Sequence, residues 1–143
     1  MKFKVNGTSE GLKLNATAGK HTLVLDEGSQ MGGTDQGPNP LQASLAALAS
    51  CENVTANMAA KEMNFDLKNI EFNITGEFNP KGFMGEPGVR PYFKRVEVKA
   101  VVETTESETR LKELQEKVET RCPVYTMMKA ADIDMIDTWE KTE

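Results

Sequence analysis

Apolar and polar residues alternate at the start of the chain, where Phe3 and Val5 lie among Lys2, Lys4 and Asn6, and this predicts a strand over residues 2–6. The same two-residue period recurs over 12–16 and 21–25. Gly7, Gly11 and Ala18-Gly19 punctuate these segments as turns, so the opening reads as a small antiparallel meander. Residues 26–38 carry Gly28, Gly32, Gly33 and Gly37 and no apolar period, which predicts a loop. The period then lengthens. Asn39 is a good N-cap, Pro40 suits the first helical position, and Leu41, Leu45, Leu48, Cys51 or Glu52, and Thr55 follow at helical spacing. Alanines and serines fill much of the rest. The pattern predicts a central helix over 40–63, approached closely on several sides, with Cys51 on an inward surface.

Alternation returns over 67–78, with Ile70, Phe72 and Ile74 on one face, and over 92–103, with Val96, Val98, Ala100 and Val102 on one face. The connection over 79–91 holds prolines and glycines that limit regular structure. Thr105 and Glu108 have the spacing of a capping box, and Leu111, Leu114 and Val118 form a helical stripe leading to Cys122. The charges on the other face of this helix read as solvated surface. Pro123 interrupts it, residues 124–131 resume as a short helix with Cys122 near its cap, and Ile133, Met135 and Trp139 suggest a last strand. The order is βββ-α-ββ-α-α-β. This is a single α+β domain over 1–143, with antiparallel strands and a long central helix.

Composition narrows the function classes. With 38% hydrophobic and 27% charged residues the chain is an ordinary globular one, and a net charge of −5 argues against nucleic acid as the main partner. Neither a signal-peptide run nor a stretch of membrane-spanning length occurs, so the expectation is a cytoplasmic protein with no membrane partner. The glycine-rich loop before the helix matches neither a P-loop nor a dinucleotide fingerprint. One histidine, His21, and no CxxC or HxxxH pattern leave no basis for a metal site or a Ser/His/Asp triad.

Two cysteines remain as candidate chemistry. In a reducing compartment their pairing would be transient and redox-linked. Cys122 has the better local case for activation: a helix starting at Pro123 would offer its sulfur unpaired N–H groups, with Arg121 beside it. Cys51 lies about three turns into its helix, and Glu52 adds a negative charge nearby. On local physics alone, Cys51 reads as a buried small side chain and Cys122 as incidental.

Gly37-Pro38-Asn39-Pro40-Leu41, followed by a small-residue helix ending in Ser50-Cys51, and later Arg121-Cys122-Pro123-Val124, resembles the OsmC/Ohr family of small thiol proteins. The resemblance implies an OsmC-like fold and an intertwined homodimer with sites made from both chains. It also implies that Cys51 is the peroxidatic and Cys122 the resolving cysteine. Cys51 would reduce an organic hydroperoxide, become a sulfenic acid, and condense with Cys122 to a disulfide. An external dithiol would reduce that disulfide, and no cofactor would be needed. The chain departs from the family's peroxidases at three points. Leu41 stands where they carry a glutamate after Asn-Pro, no arginine precedes Arg90, and Tyr125 replaces a histidine often found after the resolving Cys-Pro. Arg90, Arg95, Arg121 and Lys20 are the cations available as substitutes.

Two readings follow. In one, the Cys51/Cys122 pair is a peroxidase whose substrate pocket draws on Leu48, Phe83, Met84, Arg90 and Met127. In the other, the same fold holds a small apolar ligand at a dimer interface, without catalysis, and the thiols act as a redox sensor. Met84 and Met127 also serve as plain packing residues.

Overall fold

A tight turn at Gly11, whose φ of 61° suits glycine, sets the register of the opening strands. It joins β1 (Asn6–Glu10) to β2 (Lys13–Ala18), and Gly19 turns β2 into β3 (His21–Leu25). The computed structural model describes all of residues 1–143, in two units, Met1–Ala46 and Ala47–Glu143. The first strand is displaced from the expected 2–6. The ladder grows outward from the turn, from Glu10 opposite Lys13 to Asn6 opposite Thr17, and stops one residue short of the end of β2, leaving Phe3 and Val5 exposed. Gly7 marks no turn. It lies in the ladder opposite Ala16, where a Cβ would meet Leu14 Cδ1 at 2.9 Å.

The loop after β3 is organised by Asp26, which is 1% exposed. Its carboxylate accepts the Thr34 hydroxyl at 2.6 Å and the backbone N–H groups of Glu27, Thr34 and Gln36. These bonds, led by the Thr34 hydroxyl, hold Asp26 down at about 2 against its burial. A single 3-10 turn, Ser29–Met31, is the loop's only helical piece.

α1 (Pro40–Glu62) begins with a reciprocal cap. Gln42 N–H donates to Asn39 Oδ1 at 2.8 Å, and Asn39 N–H donates to Gln42 Oε1 at 3.0 Å. The helix is buried along one side only, through Leu48, Glu52, Thr55, Ala56, Ala59 and Ala60, while Val54 and Met58 are exposed. Within this chain the expected close approach is met on one face, and apolar Val54 and Met58 lie on the face left open.

In the second unit β4 (Asn69–Glu77), β5 (Arg95–Glu103) and β6 (Asp134–Lys141) form a sheet with β5 in the middle. β4 pairs antiparallel, whereas β6 joins β5 in parallel, because the chain returns through two helices, α3 (Glu108–Arg121) and α4 (Pro123–Ala130). Val96, Val98, Ala100 and Val102 are fully buried on one face, opposite Ile70, Phe72 and Ile74 on one side and Met135, Asp137 and Trp139 on the other. Phe72 meets Trp139 edge to face at 6.2 Å. Gly76 lies against Phe93, where a Cβ would sit 2.5 Å from the ring.

Two local expectations change. The connection over 79–91 contains a one-turn helix, α2 (Pro80–Phe83), capped by Asn79, whose side chain accepts the Lys81 N–H. The N-cap of α3 is Ser107, whose hydroxyl accepts the Arg110 N–H at 3.2 Å. Thr105 is engaged elsewhere, its hydroxyl donating to Asp66 at 2.7 Å.

Leu111, Leu114 and Val118 are buried along α3, which packs against β6. Leu114→Ala is expected to lower unfolding stability by about 2–5 kcal/mol, read from urea denaturation. Asp26 makes a separate prediction. Its depressed value means that its stabilisation is present above the ordinary carboxylate range and is lost as pH falls through about 2. Proteolytic nicking of the 26–38 loop should therefore rise on acidification with a pepsin-type protease, and Asp26→Asn should show such nicking already at neutral pH with a neutral protease.

Candidate active site

Cys51 lies in the middle of α1, half-exposed, and opens on a cavity of about 330 Å³ lined by Cys51, Val54, Thr55, Met58, Arg121 and Pro123. The expectation of an inward Cys51 is thus corrected: the next residue, Glu52, takes the inward position. Thr55 turns its hydroxyl back to the Cys51 carbonyl at 2.8 Å, leaving its methyl to the cavity wall.

Cys122 ends one helix and starts the next. Its own N–H donates to Val118 O at 2.8 Å, its carbonyl accepts the Thr126 N–H at 2.9 Å, and its sulfur accepts the Tyr125 N–H at 3.4 Å. It is fully buried, and its thiol neighbours that of Cys51. Burial, and then the bond with Cys51, push the Cys122 thiol up to about 12, against the N–H groups of Tyr125 and Val124. The local case for activating Cys122 is therefore overturned, because desolvation outweighs the helix N-terminus.

Arg121 is the one charged residue lining the cavity. Glu62, at the end of α1, holds it with two bonds, to Nη1 at 2.7 Å and Nη2 at 3.0 Å. The hydrogen bond with Arg121 draws the Glu62 carboxyl below its ordinary value. Of the four substitute cations, the structure places Arg121 beside Cys51. Arg90 donates to the Asp132 carbonyl at 3.0 Å and lies over the Tyr92 ring, and Arg95 pairs with Asp134.

None of the residues expected to wall a substrate pocket lines the Cys51 cavity. Leu48 is fully buried in α1, Phe83 and Met127 are exposed, and Met84 lines a separate open pocket with Pro80, Lys81, Gly85 and Glu86. The actual walls, Val54 and Met58, follow Cys51 at helical spacings of three and seven, a signal present in the sequence but passed over for the longer loop.

Beneath Cys51 lies a second polar group. Glu52 is fully buried, and its carboxyl neighbours that of Asp137 from β6. All four carboxyl oxygens and the Trp139 indole nitrogen are shut off from solvent with no hydrogen-bond partner. Burial, then the Asp137 charge, raise Glu52; burial likewise raises Asp137, while Glu52 beside it lowers it. Alternation along β6 from Met135 to Trp139 already places Asp137 on the inward row.

The family model for OsmC-like protein matches residues 33–135, more than half of the chain. A hydroperoxide reductase of Mycoplasma pneumoniae is 27% identical over 121 residues, spanning 85% of this chain and 82% of that one. Among solved structures, an OsmC like protein from Mycoplasma pneumoniae superposes with a TM-score of 0.85 at 23% identity, covering 100% of this chain and 99% of that one. The organic hydroperoxide resistance protein OhrB of Bacillus subtilis superposes with a TM-score of 0.64 at 21% identity, covering 99% and 98%.

The exposure difference predicts a labelling order. Iodoacetamide should modify Cys51 at least about tenfold faster than Cys122 in the folded protein, and denaturation should equalise them. Peptide mapping of the labelled protein checks this.

Proposed function

The chain belongs to the OsmC-like protein family, and we propose that it is a thiol peroxidase that reduces organic hydroperoxides through Cys51 and Cys122. The observation that carries this reading is the contact between a thiol opening on a cavity and a second, fully buried thiol. The hydroperoxide reductase relative supports the substrate class. Val54, Met58 and Pro123 offer apolar wall to the organic part of the substrate.

Cys51 is the attacking group, because a peroxide can reach it and cannot reach Cys122. Its thiolate attacks one peroxide oxygen: an S–O bond forms, the O–O bond breaks, and the departing alkoxide takes a proton to leave as alcohol. Arg121, oriented by Glu62, supplies positive charge beside the thiolate and the polarising O–O bond. It fills the role left empty by Leu41 and by the absence of an arginine before Arg90.

The Cys122 sulfur then attacks the Cys51 sulfenic acid. An S–S bond forms, the S–O bond breaks, and the hydroxide leaves as water with the proton that Cys122 gives up. An external dithiol returns two electrons and two protons. The raised Cys122 value suits this order, since Cys122 stays a neutral thiol until the sulfenic acid is formed in contact with it.

Intact-mass analysis after one equivalent of an alkyl hydroperoxide tests the reading. The wild type should lose two hydrogens, Cys122→Ser should gain one oxygen, and Cys51→Ser should do neither. Arg121→Ala should slow the oxidation about tenfold or more. Oxidation no faster than that of free cysteine would remove the enzyme and leave the cavity as a ligand site.

A further inference from the structure

Glu52 follows Cys51 in α1, about 100° further round the helix, and points into the protein, where nothing of it is exposed. Asp137 stands on the inward row of β6, opposite Val98 of β5. Neither carboxyl finds a hydrogen-bond partner among the groups around it, and the Trp139 indole nitrogen, buried with them, is unpartnered as well. Two carboxylates cannot meet in a dry interior, whereas a carboxylic acid and a carboxylate form a strong hydrogen bond. Such a bond would tie the turn of α1 carrying Cys51 to β6, the strand on which α3 and α4, and hence Cys122, are packed.

We propose that Glu52 and Asp137 are positioning residues for the Cys51–Cys122 couple, a clasp closed by one shared proton that holds the Cys51 turn in place for disulfide formation. The inference deepens the peroxidase reading by naming what regulates the meeting of its two thiols, and it rests on that reading for their roles. The groups facing the clasp are Cys51 on α1, Glu119 on α3, Tyr125 and Lys129 on α4, and Trp139 on β6; β5 offers only apolar Val98 opposite Asp137. Glu119 favours keeping the proton and Lys129 opposes it, so burial decides in its favour. Glu52 is pushed up to about 9, burial being the first cause, so the clasp is closed at neutral pH and opens as pH rises through about 9.

Diamide provides the test, because it takes two electrons and two protons from a dithiol without any peroxide. Disulfide formation in the reduced full-length protein is followed from neutral to about pH 11, with far-UV circular dichroism confirming that the fold persists. In the wild type the rate should rise as thiolate forms and then fall about tenfold or more past the alkaline opening of the clasp. In Glu52→Gln the amide donates to Asp137 without a titrating proton, so the falling limb should vanish and the neutral-pH rate should be retained. Asp137→Asn, whose amide donates to Glu52, should behave alike and serves if the first variant does not fold. Glu52→Ala should be slow across the whole range.

Superposable pH profiles for the wild type and either amide variant would overturn the clasp, as would an unchanged rate in Glu52→Ala. Failure of the wild type to form the disulfide with diamide would overturn both the clasp and the resolving role. A disulfide formed with diamide but not with alkyl hydroperoxide would overturn the peroxidase alone.

Discussion

Everything at the site depends on the break between α3 and α4. Pro123 cannot donate a backbone hydrogen bond, and its ring bars the preceding residue from helical geometry, so Cys122 takes an extended backbone with ψ of 116°. One residue thereby caps two helices. Held by its N–H, its carbonyl and its sulfur, Cys122 has little freedom to move, and α1 must bring Cys51 to it. A continuous helix through this point would carry the sulfur past α1 on a surface that turns 100° with each residue.

The second unit separates its polar groups by exposure. Arg121 and Glu62 lie at a half-exposed rim, where an ion pair adds little stability but keeps a positive charge aimed at the cavity. Glu52 and Asp137 lie on the dry side of the same helix, where charge is costly and a proton is retained. Cys51 stands between these environments, with Arg121 on its open side and the buried carboxyl pair beneath.

What could be read in the sequence follows the range of the forces involved. The cap at Asn39 and Gln42, the inward row of β5 and the interruption at Pro123 are local, and each was legible from neighbouring residues. The first strand was not, because its position is inherited from the hairpin at Gly11 rather than from its own alternation. The cap at Ser107 was hidden because Thr105 is claimed by Asp66, 39 residues away. Cys51 and Cys122 were legible as a pair by family resemblance, but their unequal burial was not, since desolvation is supplied by the whole packed unit. Glu52 already appeared as an alternative to Cys51 on the helical stripe. Only the sheet register, which puts Asp137 opposite Val98, brings its partner into view.

Gly76 and Phe93 carry a consequence for how such a chain can diverge. The ring occupies the space in which any side chain at 76 would begin. Glycine is thus retained at 76 for as long as 93 stays aromatic, and a larger residue becomes acceptable there only after 93 has shrunk.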